Sequence, residues 1–280
     1  MTTESNIQKA AKLIKQADAI IITAGAGMGV DSGLPDFRGN EGFWRAYPAA
    51  KRVGLRFEEM ANPKHFETHP AFGWGFYGHR LNLYRNTTPH LGFKILLDIA
   101  KEKGDDGCFV YTSNVDGQFQ IAGFREDSVC ECHGSIHHLQ CINSESHGIW
   151  SAEGIEVEVD EKRLQAKEPL PRCPHCNEIA RPNILMFSDW GFNSERLKEQ
   201  HDIYKEWKNS KDKKRMVTIE MGAGIAIPTI RHFGETLLLS ENIPLIRINK
   251  REPNGGSGAT SIESGALEAL QKIKEAMDEL

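Results

Sequence analysis

Short β-branched runs alternate with stretches of helical spacing along most of the chain. Ala19-Ile20-Ile21-Ile22-Thr23 is the first such run and reads as a buried strand. Cys108-Phe109-Val110-Tyr111-Thr112, Ser128-Val129-Cys130-Glu131-Cys132, Met216-Val217-Thr218-Ile219-Glu220 and Leu245-Ile246-Arg247-Ile248-Asn249 read the same way. Ile7, Ala11 and Ile14 mark a helix from Ile7 to Ala17, and a second helix spans Leu91 to Lys103. A closing helix carries Leu267, Leu270, Ile273 and Met277 on one face. Strands alternating with helices predict an α/β fold with a parallel sheet covered on both faces. Ligands on such sheets sit at the C-terminal strand ends.

Two stretches break this rhythm. Residues 40–90 are aromatic-rich and helical, and residues 142–172 are polar and charged. Both are expected to be insertions that build a second, smaller lobe. The expected division is a large domain of residues 1–39, 91–138 and 183–280, a helical module at 40–90, and a cysteine-bearing module at 139–182. A chain of 280 residues accommodates that arrangement. Hydrophobic residues at 39% and charged residues at 26% are ordinary for a globular protein. A net charge of −5 supplies no basic field, so neither nucleic acid nor an anionic membrane is an expected partner. No apolar run approaches the roughly 20 residues that span a bilayer. Met1 to Gln8 is polar without a signal-peptide pattern, so the expected compartment is the cytoplasm.

The candidate chemistry falls at the predicted strand ends. Gly25-Ala26-Gly27-Met28-Gly29-Val30-Asp31-Ser32-Gly33 follows the first strand. Such glycines let the backbone approach a pyrophosphate, though a plain tight turn has the same composition. Leu34-Pro35-Asp36-Phe37-Arg38-Gly39 then places a carboxylate, an aromatic ring and a guanidinium in succession. Thr112-Ser113-Asn114-Val115-Asp116-Gly117 ends another strand and reads either as a polar ligand loop or as an Asx-type turn. His133-Gly134 follows a third strand, where an imidazole can act as a general base. Tyr77 and Arg80 share one helix face, which fits either packing or a binding pair. Of six cysteines, Cys173 and Cys176 have the spacing of zinc ligands. Disulfides are not required in a chain this long and this apolar.

Gly25 to Gly39 resembles the sirtuin signature, a Gly-Ala-Gly loop running into Ser-Gly-(Ile/Leu)-Pro-Asp-Phe-Arg. The resemblance spans about residues 10 to 275, with the motifs in the family's order. Ser113-Asn114-Val115-Asp116 is similar to Gln-Asn-Ile-Asp, and His133-Gly134 to the family's His-Gly. Arg181 to Asp189 is similar to the Arg-Pro segment that adds a substrate peptide as an extra strand, with Ser188-Asp189 where the family has Gly-Glu. Gly222-Ala223-Gly224 and Ile248-Asn249 match the second glycine loop and the Ile-Asn strand end. Gly29, Ser113, Gln118-Phe119 and Ser144 depart from the usual Ser, Gln, Leu-His and Cys. They suggest a divergent branch.

The resemblance implies a Rossmann-type doubly wound domain with a helical and a zinc-ribbon-like insertion. It implies NAD as co-substrate, with nicotinamide, free lysine and O-acyl-ADP-ribose as products from acyl-lysine proteins or peptides. His133 would be the general base, Asn114 would position the ribose, and Asp116 would hold the carboxamide. Gly25, Ala26, Gly27, Asp36, Phe37, Arg38, Ser113, Gly222, Ala223, Gly224, Asn249 and Lys250 would complete the NAD site. Met186, Phe187 and Ser188 would meet the substrate chain, and Tyr77 with Arg80 would meet the carboxylate of a succinyl or malonyl group. The family carries two cysteine pairs. Here Cys141, Cys173 and Cys176 remain, with His147 leading and Glu145 second as a fourth zinc ligand, or with no zinc at all. ADP-ribosyl transfer, NAD hydrolysis and non-catalytic NAD sensing stay open beside deacylation, and the oligomeric state is not indicated.

Overall fold

All five predicted strand runs enter one six-stranded sheet, and a sixth, three-residue strand joins it. The computed structural model describes residues 3–36, 39–143 and 145–280. In chain order the strands are β1 (Ala19–Ala24), β2 (Cys108–Thr112), β3 (Val129–Glu131), β4 (Gly134–Cys141), β5 (Ile149–Ser151), β6 (Val159–Asp160), β7 (Gln165–Ala166), β8 (Ala180–Ile184), β9 (Met216–Met221), β10 (Leu245–Ile248) and β11 (Thr260–Ile262). The large sheet has the order β11-β10-β9-β1-β2-β3 with every pair parallel. β1 and β9 are buried at every residue, as strands covered on both faces must be.

Alternate side chains feed opposite layers. Ile20 and Ile22 of β1 join a core with Ile7 and Ile14 of the helix Thr3–Gln16, Phe93 and Leu96 of Leu91–Glu102, and Leu270 and Ile273 of Ala266–Asp278. Ala19 and Ile21 point the other way and pack with Met216 and Leu237. The helices Glu195–Asn209 and Thr229–Glu241 lie on that second face, where Phe109, Tyr111, Tyr204 and Ile230 pack together.

The chain leaves β1 on one side to form β2 and returns on the other to form β9. That reversal opens a crevice above the C-terminal ends of the strands, where open α/β sheets bind ligands. The loops after β1, β2, β3, β9 and β10 all start at this edge.

A second core assembles Phe43, Phe66, Trp74, Phe76, Tyr77, Leu139, Val157 and Leu164. Its spine is the helix Pro70–Arg85, which begins with a proline at its first turn. A small antiparallel sheet, β5-β4-β8, and the β6-β7 hairpin pack against it. The hairpin rides so close that a Cβ at Gly75 would lie 2.2 Å from the Leu164 carbonyl oxygen. β5, β6 and β7 lie within a stretch whose polar composition gave no strand signal. They run to three, two and two residues, too short for a two-residue alternation to register. No described helix is long and apolar enough to cross a membrane.

Candidate functional site

A cavity of about 450 Å³ opens where the strand-end loops meet the second core. Gly25, Ala26 and Asp36 line it after β1, Ser113, Asn114 and Asp116 after β2, His133 after β3, and Gly222, Ala223 and Gly224 after β9. Tyr77 and Arg80 line it from the helix Pro70–Arg85, and Met186 and Phe187 from the segment after β8.

The two glycine loops touch backbone to backbone. The Gly27 N–H donates to the Gly222 carbonyl at 3.1 Å, and a Cβ at Gly27 would lie 2.7 Å from Gly222 Cα. Gly222 adopts φ 61, which favours glycine. Glycine at these positions therefore serves loop–loop contact, leaving Gly25 and Ala26 to face the cavity.

Asn114 is fixed by two bonds. Its side-chain amide donates to the Gly25 carbonyl at 3.1 Å, and its backbone N–H donates to Thr112 Oγ1 at 3.0 Å. The Asp116 carboxylate accepts the Gln118 backbone N–H at 3.0 Å, so the Asx-type turn exists within the ligand loop. Burial pushes this carboxyl up to about 6, against the pull of the Gln118 amide and of Arg80. His137 bonds the Asp116 carbonyl at 3.0 Å, which ties the loop to β4. The Gln118 side chain donates to the Thr87 carbonyl at 3.1 Å, a structural task for this departure from the family pattern.

His133 Nε2 lies 3.2 Å from the Thr229 hydroxyl at the start of Thr229–Glu241. Burial lowers its pKa from the usual 6.5, so the imidazole is mostly neutral at neutral pH and able to accept a proton.

The segment after β8 is held by a buried ion pair. Arg181 donates to Asp189 at 2.7 and 2.9 Å, and the Met186 and Gly191 amides donate to the same carboxylate at 3.2 Å each. The Phe187 N–H donates to the Ala61 carbonyl at 2.9 Å. Ser188 takes φ 56, a left-handed conformation unusual for a non-glycine residue. Its place in the family motif is held by glycine.

Some expected site residues stand away from the cavity. Ser188 does not line it, and Gly27 supports it from behind. Asn249 is buried and donates to the Ala223 carbonyl at 2.8 Å, so it braces the second glycine loop. Lys250 is exposed beyond that brace. Phe37, Arg38 and Ser144 lie outside the described residues. The sequence reading missed Phe57, Glu58, Ala61, Tyr84, Ile227 and Ile230, all of which line the cavity. Four of these come from residues 40–90, where no motif marks one residue above another.

At the far side of the small lobe, Cys141 ends β4, His147 closes the turn Glu145–His147, and Cys173 and Cys176 precede β8. The ligand atoms of these four residues lie within 4.8 Å of one another. Cys141 and Cys176 sulfurs are 3.6 Å apart, and Cys173 Sγ lies 3.4 Å from His147 Nδ1. Ligands about 2.0–2.3 Å from a tetrahedral zinc stand about 3.3–3.8 Å apart, whereas a disulfide needs about 2.05 Å. The donor set fits a metal, with His147 rather than Glu145 as its fourth member.

The profile described as the Sir2 family matches residues 25–210. A protein from Thermococcus kodakarensis named "NAD-dependent protein deacylase" is 33% identical over 180 residues, covering 64% of this chain and 63% of that protein. One from Fusarium oxysporum f. sp. cubense, named "Probable bifunctional ADP-ribose hydrolase/ADP-ribosyltransferase", is 26% identical over 266 residues, covering 88% of this chain and 43% of that protein. The matches thus span less than two thirds of either relative's length. A solved structure described as a Sir2 homolog–NAD complex aligns at TM-score 0.71 and 22% identity, covering 97% of this chain and 94% of that one. That likeness bears on the fold, a Rossmann-type α/β architecture.

Proposed function

The chain belongs to the Sir2 family, and on that premise we propose that it is an NAD-dependent protein-lysine deacylase. The observation that carries this is the convergence of Asn114, Asp116 and His133 on one cavity walled by two glycine loops. The acyl-lysine carbonyl oxygen attacks the nicotinamide ribose at its anomeric carbon, and nicotinamide leaves. Asn114 positions the ribose, and Asp116 accepts a hydrogen bond from the carboxamide. His133 takes a ribose hydroxyl proton so that the oxygen attacks the imidate carbon, and water completes release of lysine. The acceleration comes from positioning and general base catalysis. Cys141, His147, Cys173 and Cys176 would hold a structural zinc, which would keep the small lobe together without taking part in the chemistry.

The acyl group includes chains that end in a carboxylate. The support is that Tyr77 and Arg80 line the same cavity and that Arg80 is buried there. Arg80→Met should lower kcat/KM for succinyl-lysine about ten- to a hundred-fold more than for acetyl-lysine, the usual value of a charge-assisted hydrogen bond.

Mass spectrometry of products from NAD with acetylated, succinylated and unmodified peptides tests the reading. Nicotinamide should appear one-for-one with deacylated peptide. Accumulation of NADH absorbance would refute it. The Fusarium relative matches the longer share of this chain, which favours ADP-ribosyl transfer as a second reading. Under that reading the unmodified peptide gains an ADP-ribose.

A further inference from the structure

His133 is held at its backbone and at its ring by different parts of the chain. Its carbonyl accepts the Leu185 N–H at 2.9 Å, just past β8. Its ring has one hydrogen bond among the described residues, between Nε2 and the Thr229 hydroxyl at 3.2 Å. Thr229 opens the 13-residue helix Thr229–Glu241 and is half-buried. The next residue, Ile230, is buried in one cluster with Cys132, which precedes His133, and with Ala223 of the second glycine loop. That packing sets the hydroxyl beside the imidazole and ties the ring to the loop that leads from Gly222 to the helix.

A threonine hydroxyl has one proton and two lone pairs, and it turns to suit its partner. Beside a neutral imidazole it can donate to a bare Nε2 or accept from Nε2–H. A cationic imidazole carries N–H at both nitrogens, so the hydroxyl then accepts. A bond from a charged donor is roughly twice as strong as a neutral one, so this contact favours the cation. No charged group replaces it. Burial is the one cause that shifts the His133 pKa, although Asp36, Glu58, Tyr77, Arg80, Tyr84 and Asp116 line the same cavity. Arg231, on the same helix as Thr229, turns away to the Glu252 and Asn254 carbonyls. Behind the ring, burial keeps the Cys132 thiol and the Tyr111 phenol neutral.

We propose that Thr229 is a positioning residue for His133, fixing the orientation of its ring and accepting the Nε2–H of the imidazolium that forms when His133 takes the ribose proton. The proposal rests on the deacylase reading, which supplies that proton transfer. The proton passes from the ribose hydroxyl to the imidazole, the freed oxygen attacks the imidate carbon, and the ring holds the proton as a cation. Without Thr229 the cation is buried with an unmet donor, which costs more than leaving a neutral donor unmet. His133 is then a weaker base on a ring that is free to turn.

The test uses the full chain. Thr229→Val keeps the shape and removes the hydroxyl, whereas Thr229→Ser keeps the hydroxyl and removes a methyl. With NAD and whichever of an acetyl- or succinyl-lysine peptide the parent turns over faster, Thr229→Val should lower kcat about tenfold with KM for NAD little changed. Thr229→Ser should keep most of the parent rate. A second readout needs no turnover. NMR of protein labelled with carbon-13 histidine, without NAD, follows the His133 ring, its signal assigned by its loss in His133→Gln. That ring should titrate at a lower pH in Thr229→Val than in the parent or in Thr229→Ser. Thr229→Ala removes the same hydroxyl and carries both readouts if the valine variant is unstable. An unshifted His133 titration, or a serine variant as slow as the valine one, overturns the role of Thr229 while leaving deacylation standing. A raised KM for NAD with kcat unchanged would make Thr229 a packing residue of the glycine loop and overturn the role as well. A parent inactive on both peptides refutes the deacylase reading and this proposal with it.

Discussion

Asp189→Ala removes the clamp on the segment that lines the cavity after β8. Asp189 is fully buried and Arg181 nearly so, with side-chain exposures of 0% and 3%. The carboxylate accepts two bonds from Arg181 and one each from the Met186 and Gly191 amides. Truncation leaves a guanidinium buried without its counter-charge, at a cost of about 3–5 kcal/mol. Against a total stability of about 5–15 kcal/mol that is a large share. It corresponds to a loss of about 6–20 °C in Tm for a chain of this size class. A paired variant, Arg181→Met with Asp189→Leu, removes both charges and leaves only the two amides unmet. At about 1 kcal/mol for each lost bond it should cost about 2 kcal/mol, less than the single change. Urea denaturation followed by circular dichroism measures all three. Met186 and Phe187 sit on this segment and the glycine loops lie across the cavity, so under the proposed function KM for the acyl peptide should rise in Asp189→Ala more than KM for NAD. A single-variant loss below about 1 kcal/mol, or a paired variant no better than the single, would refute the clamp.

His133→Ala should reduce turnover about 10²–10⁴-fold with an unchanged circular dichroism spectrum, and near-normal rates would make His133 structural. Burial lowers the His133 pKa below 6.5, and the base must be neutral, so activity is lost as pH falls through a value under 6.5. A kcat/KM profile whose acid limb lies above 7 would contradict that environment. Protein purified without chelator should carry one zinc per chain by elemental analysis. Stripping it should loosen the small lobe, read as faster amide exchange around β4 and β8, and metal-free protein of unchanged stability would exclude a structural site.

The large sheet was legible because its strands are covered on both faces, and such strands announce themselves as unbroken runs like Ile20-Ile21-Ile22. The strand ends carried the site for the same reason, since topology sends every loop from that edge into one crevice. His147 was also within reach, because a cysteine set short of one member asks for a ligand nearby in the chain. The small lobe was harder to read. β6 and β7 hold two residues each, and they are stabilised by contact with Gly75 and its helix rather than by their own pattern. Asp189 looked like a substitution in a substrate motif, yet its four bonds make it the anchor that lets Ser188 occupy a left-handed conformation. Thr229 and Tyr84 show the remaining limit. Thr229 reaches His133 across 96 residues of chain. Tyr84 sits four residues from Arg80, a spacing the sequence offers at many ordinary helix pairs. What separates that pair from the others is that both side chains are buried at the cavity wall, where the packed lobe brings the guanidinium onto the phenol oxygen. Orientation of a buried cation is a property of the packed lobe, and it appears only once the lobe has been assembled.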